Sequence, residues 1–172
     1  MARMGILAAL GIAGLLITAT PGLAGEHRLG GGFHYWETLD DFQDSGFDID
    51  DSGLAPVLSY QYIPGGLIRF EIDVEYFEKG FAGSTEAAYS PQAYVLLGGG
   101  LYAGLGVGVT VSSGLEDEVS DPFYAARAGF EMALLPSVTL DINANYRFGA
   151  WDELDDYSTD TITLGALVRF AF

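Results

Sequence analysis

Apolar and polar residues alternate with a period of two along most of the chain, the signature of strands whose two faces meet different surroundings. In residues 67–76 one face reads Ile68, Phe70, Ile72, Val74, Tyr76, and the other Arg69, Glu71, Asp73, Glu75. Residues 138–148 repeat it, with Val138, Leu140, Ile142, Ala144, Tyr146 and Phe148 against Thr139, Asp141, Asn143, Asn145 and Arg147. Residues 101–111, 124–134 and 161–172 follow the same rule, with Leu167 the one apolar residue on the polar face of the last. Three further strands, 28–36, 54–63 and 87–97, alternate less cleanly, and Pro56 and Pro91 are expected near strand ends or bulges because each lacks a backbone donor. The count is eight strands, and no segment carries a helical period.

The connections alternate in length. Pro64-Gly65-Gly66, Gly98-Gly99-Gly100 and Leu135-Pro136-Ser137 are short turns, whereas 37–53, 78–86, 112–121 and 149–160 are long. Short turns at one end and long loops at the other describe an up-and-down antiparallel meander, with both termini at the short-turn end.

Residues 1–24 stand apart. One early base, Arg3, precedes an apolar run from Met4 to Ile17, and Pro21, Gly22 and Ala24 follow. This is the three-part plan of a secretory signal peptide, cleaved after Ala24 to leave a single domain of 25–172, and the run is too short for a membrane anchor.

The chain has 172 residues, a formal charge of −17 from 24 acidic and 7 basic residues, 49% hydrophobic residues and no cysteine. That apolar and aromatic content excludes disorder, and the acidic excess excludes nucleic acid as a partner. The charges are segregated: eighteen of the acids lie in the four long connections, beside one base, Lys79. The strands carry five bases (Arg28, Arg69, Arg127, Arg147, Arg169) and five acids (Glu71, Asp73, Glu75, Glu131, Asp141), all on the polar face.

Alternating strands fit a soluble barrel with an apolar interior, or a membrane barrel with an apolar exterior and a polar lumen. Matched charges mixed with small residues (Gly30, Gly32, Gly104, Gly106, Gly108, Gly129, Gly165) suit a crowded interior. Aromatic residues gather toward both strand ends, as paired interfacial girdles would. Tilted strands of about ten residues match the hydrocarbon thickness. The fold expected is therefore all-β: an eight-stranded antiparallel up-and-down transmembrane β-barrel.

The leader, the eight amphipathic strands and the ending Leu167-Val168-Arg169-Phe170-Ala171-Phe172 resemble the small bacterial outer-membrane β-barrels, the architecture of outer membrane protein X and the barrel domain of outer membrane protein A. The resemblance covers the mature chain in pattern and extends to no functional motif. It implies Gram-negative export through a Sec-type signal, insertion with the long loops outside, and recognition by the barrel assembly machinery of a terminal signal, here Phe170 and Phe172. Outer-membrane lipid and lipopolysaccharide are the implied surroundings.

Four activities can be weighed on the residues. A pore must pass a lumen that eight strands make just wide enough for side chains to fill. The expected filling is a charge network of Arg69, Glu71, Asp73, Glu75, Arg127, Glu131, Asp141, Arg147 and Arg169. A plugged lumen is the expected state, with a narrow channel for small solutes or ions as the alternative. A lipopolysaccharide-modifying enzyme would need a nucleophile and base, and only His27 and His34 are available; His34 has Asp40, Asp41 and Ser45 near it in sequence. No catalytic residue is assigned. Asp48, Asp50 and Asp51 begin a calcium-type loop, but its twelfth position is Ser59 instead of the required Glu, so only weak divalent binding to the loops is expected, and no cofactor. The glycine repeat at 104, 106 and 108 precedes no helix and binds no nucleotide. What remains is a monomeric, non-catalytic surface protein displaying Trp36, Phe42, Phe47, Phe81, Trp151 and Tyr157 among acidic loops.

Overall fold

The computed structural model describes residues 25–38, 52–79, 86–112, 119–149 and 161–172. The expected leader, the acidic candidates Asp48, Asp50 and Asp51, and the loop aromatics Phe42, Phe47, Phe81, Trp151 and Tyr157 lie outside them.

Eight strands follow in order: β1 (Glu26–Thr38), β2 (Ser52–Gly65), β3 (Ile68–Phe77), β4 (Ala88–Gly98), β5 (Leu101–Gly108), β6 (Phe123–Leu135), β7 (Val138–Phe148) and β8 (Thr161–Ala171). Each pairs antiparallel with its sequence neighbours, and β1 pairs with β8, so the sheet closes and leaves no free edge. The closing seam runs from Arg28↔Ala171 to Thr38↔Thr161, and Phe172 N–H donates to the His27 carbonyl (3.0 Å) just past it. An eleven-residue strand rising ~3.3 Å per residue and tilted ~40° climbs roughly 25 Å, the height of a hydrocarbon core.

Side-chain burial alternates as strictly as the sequence does. Leu29, Phe33, Leu58, Phe70, Val95, Leu105, Phe130, Ile142 and Leu164 are exposed on the outer wall, whereas Arg69, Glu71, Arg127, Asp141, Arg147 and Arg169 are buried inside. That is the inverse of a soluble barrel. The pattern has a direct cause: an outward leucine costs nothing in acyl chains, and an inward arginine is tolerated only where it meets carboxylates.

The strand limits match expectation within two residues, apart from β5. It was expected to reach Val111 but ends at Gly108, beyond which Val111 forms single bridges to Tyr89 and Val119. The prolines fall inside continuous registers, Pro56 opposite Phe33 and Pro91 opposite Val74, and no bulge marks either. The β2–β3 ladder begins at Val57↔Glu75 and the β4–β5 ladder at Gln92↔Gly108. Each proline thus sits one residue past the end of a ladder on one flank, where a missing donor costs least. The two register shifts lie at the turns instead, between Tyr62 and Gly65 and between Ala133 and Leu135.

Candidate functional site

The interior is the chemically distinctive part of the molecule. It is built from alternate residues of every strand and falls into three levels between the turn end and the loop end.

At the turn end Glu131 of β6 is held by two arginines, Arg28 from β1 and Arg69 from β3. Arg69 also donates to the carbonyls of Gly98 (3.2 Å through Nε) and Gly99, and its guanidinium lies 5.2 Å from the centre of the Tyr102 ring. One side chain therefore joins β3, the β4–β5 turn and β6 across the mouth of the barrel.

The middle level centres on Glu71. It accepts from Arg127 of β6, from Arg169 of β8 (2.7 Å) and from Gln61 of β2 (2.7 Å). Arg127 pairs also with Asp73 (2.8 Å), donates to Asn145, and stacks on Tyr94 with its guanidinium carbon 3.8 Å from the ring centre. Arg169 reaches Asp141 (2.9 Å) and the Ser59 hydroxyl (3.0 Å). Asp141 is oriented by the Tyr102 hydroxyl and the Asn143 amide, both at 2.7 Å, and an amide ladder continues from Asn143 through Asn145 to Thr163.

Toward the loops, Glu75 accepts from His34 Nδ1 and from Arg147 Nη2. A carboxylate can only accept, so Nδ1 of His34 carries a proton. Arg147 lies between Phe77 (5.6 Å) and Phe123 (5.1 Å). Trp36, Ala55, Phe77 and Ala88 form a small apolar cluster at this level.

All nine residues expected in the interior network thus point inward, and each takes part in an ion pair. With Arg28 the tally is five arginines against five carboxylates. The pairs run mostly across the barrel: the acids of β3 meet arginines of β6, β7 and β8. Alternation gives the face a residue occupies, but the cross-lumen partner depends on strand tilt and stagger, which no local pattern contains. The sequence offers Tyr94, Asn145 and Thr163 as polar-face residues, but neither the stacking of Arg127 on Tyr94 nor the Asn145–Thr163 link. Their inward phase was the available signal.

The inward glycines make room for particular side chains. A Cβ on Gly129 would lie 2.4 Å from the Tyr102 ring, and one on Gly165 would lie 2.3 Å from the His34 ring. Large groups are admitted on one strand because the facing strand has no side chain there.

The β1 register fixes the phase of two further side chains. His34 is fully buried against Glu75, because the β1 register Gly30↔Arg169 and His34↔Gly165 turns even-numbered residues inward. Trp36 shares that phase and is buried, so it is not displayed with the loops. His27, on the opposite phase, bonds through Nδ1 to the Tyr60 hydroxyl (2.7 Å) and stacks on Tyr62 outside the barrel. Among the described residues no three His, Asp or Glu side chains come together in a metal-holding group.

No family model and no curated protein matches the chain. Solved structures do. Neisserial surface protein A superposes with a TM-score of 0.54 at 19% identity, covering 86% of this chain and 97% of that one. Ail, the attachment invasion locus protein of Yersinia pestis, solved with the heparin analogue sucrose octasulfate, gives 0.51 at 20%, covering 86% and 99%. The outer membrane protein OprG from Pseudomonas aeruginosa gives 0.51 at 16%, covering 87% and 96%. The likeness is one of fold: the chain is an eight-stranded antiparallel transmembrane β-barrel of the kind found in small outer-membrane proteins.

Proposed function

We propose that the protein is a monomeric, non-catalytic component of a Gram-negative outer membrane. Residues 1–24 direct export and are removed, the assembly machinery reads Phe170 and Phe172, and the barrel of 25–172 serves as a rigid support for acidic extracellular loops. The observation that carries this reading is the pairing of an apolar outer wall with an interior whose arginines and carboxylates are bonded to each other. Side chains so engaged leave no column of water, so the lumen is plugged. The non-catalytic reading is supported by His34, which is fully buried with its Nδ1 bonded to Glu75 in the interior, out of reach of lipid.

The loops set the partner. Ail was solved with a sulfated sugar, whereas eighteen acids and one base in the long connections here repel such an anion. A basic partner, or lipopolysaccharide bridged by divalent cations, fits that charge. Conductance of the purified barrel in a planar bilayer tests the plug: a flat trace is expected, and discrete openings would establish the narrow channel instead. Mass spectrometry of lipid A from cells with and without the protein is expected to give identical spectra; a changed acyl pattern would refute the non-catalytic assignment.

A further inference from the structure

The two rims of the barrel differ in how they meet the membrane. At the loop end, outward tyrosines are spread around the wall: Tyr35 on β1, Tyr76 on β3, Tyr89 on β4, Tyr124 on β6 and Tyr146 on β7. At the turn end the ring is one-sided. His27, Tyr60, Tyr62 and Phe172 cluster beside the β1–β8 seam, with His27 stacked on Tyr62 (4.9 Å between ring centres) and on Phe172 (6.0 Å). The β4–β5 turn, opposite the seam, and the β6–β7 turn, a quarter of the circumference from it, carry Leu97, Leu101, Leu134 and Leu135, with Leu101 74% and Leu135 63% exposed, and Leu67 beside the β2–β3 turn is exposed as well. Residues 97–104 and 132–140 contain no charged side chain.

A tyrosine or histidine at a membrane boundary has a polar tip that must reach water or headgroups, and a leucine has none. An exposed leucine is at rest only among acyl chains. The leucines of these turns continue the apolar wall of Val95, Leu105, Phe130 and Met132 without a polar break. The surface that covers that wall therefore covers the turns as well.

We propose that the barrel sits inclined in the bilayer, with the β4–β5 and β6–β7 turns immersed in the acyl chains of the leaflet they face and the β1–β8 seam held at that leaflet's polar boundary. The occupant of the leucine-lined rim is lipid, neither a second copy nor a periplasmic protein. This rests on the membrane assignment above, and the test separates the two.

The sequence has no cysteine, so single cysteines can be spin-labelled without background. Gly99→Cys and Ser137→Cys report the two leucine-lined turns, Glu26→Cys the seam side, and Ala103→Cys the middle of the outer wall. A Cβ at Gly99 meets no atom within 4 Å, and Ser137 is exposed, so these variants should fold; retained heat-modifiable mobility checks it. Each barrel is refolded into phosphatidylcholine–phosphatidylglycerol vesicles, and collision of the label with oxygen is compared with collision with a water-soluble nickel chelate. The labels at 99, 137 and 103 are expected to favour oxygen, and the label at 26 the chelate, the ratio differing by about tenfold because a polar chelate is excluded from hydrocarbon. Chelate preference at 99 and 137 with oxygen preference at 103 would overturn the inclined seating and leave the membrane barrel intact. Oxygen preference at 26 as well would overturn the inclination in favour of even immersion. Chelate preference at 103 would refute the membrane assignment, and the inclination with it.

Discussion

Replacing Arg127 by leucine tests the reading of the interior most directly. Arg127 is 2% exposed, and its guanidinium holds Glu71, Asp73 and Asn145 while stacking on Tyr94. After its removal Glu71 keeps Arg169 and Gln61. Asp73 loses its one ion pair among the described residues and is left a buried carboxylate with only the more distant Arg169 and the Ser59 hydroxyl to offset its charge. Breaking a buried pair from one side costs about 3–5 kcal/mol. The reverse change, Asp73→Leu, leaves Arg127 with Glu71 and Asn145 and should cost clearly less, about 1–2 kcal/mol, nearer the net worth of one charged hydrogen bond. In the double variant the orphaned charge is gone, and its stability should lie above that of Arg127→Leu, with a coupling of about 2 kcal/mol. Urea unfolding in lipid vesicles, followed by tryptophan emission and by gel mobility, measures all three. If Arg127→Leu leaves the midpoint unchanged, or if the two single changes simply add, the carboxylates are satisfied by something other than Arg127 and the network as described is wrong.

Tyr102→Phe removes the hydroxyl that donates to Asp141 and should destabilise the barrel by about 1–3 kcal/mol in the same assay. Gly129→Leu must displace the Tyr102 ring and should cost about 1–3 kcal/mol, a loss that Tyr102→Ala in the same chain should relieve in part. Phe172, 76% exposed and stacked on His27 at 6.0 Å between ring centres, should be dispensable for vesicle-refolded stability, yet its removal should reduce the amount of folded barrel in cells. Quantifying heat-modifiable protein in membrane fractions decides that last point; equal yields would remove Phe172 from the assembly signal.

Much of this architecture was readable along the chain because alternation is a local property. Leu67 through Tyr76 and Val138 through Phe148 declare both faces without help from the fold. Even the exception was legible: Leu167 does face the lumen, fully buried. Phe148 was less so. Its phase is outward, yet it is 4% exposed, covered by Tyr124 at 5.9 Å and Tyr146 at 5.8 Å. Tyr124 reaches it from the paired strand β6, and no count of residues along β7 reveals that contact. His34 shows the same limit, since its nearness to Asp40 in sequence said nothing of Glu75, which reaches it from β3.

The matched interior has an electrical consequence. A field across the bilayer works on net charge, at ~2.3 kcal/mol per elementary charge per 100 mV. Five arginines and five carboxylates give it nothing to push as a body. On each pair it pulls the members apart over only a small fraction of the ~30 Å it spans, which leaves a few tenths of a kcal/mol per 100 mV. That is far below what separating a buried pair costs, so polarising the membrane will not unfasten this barrel.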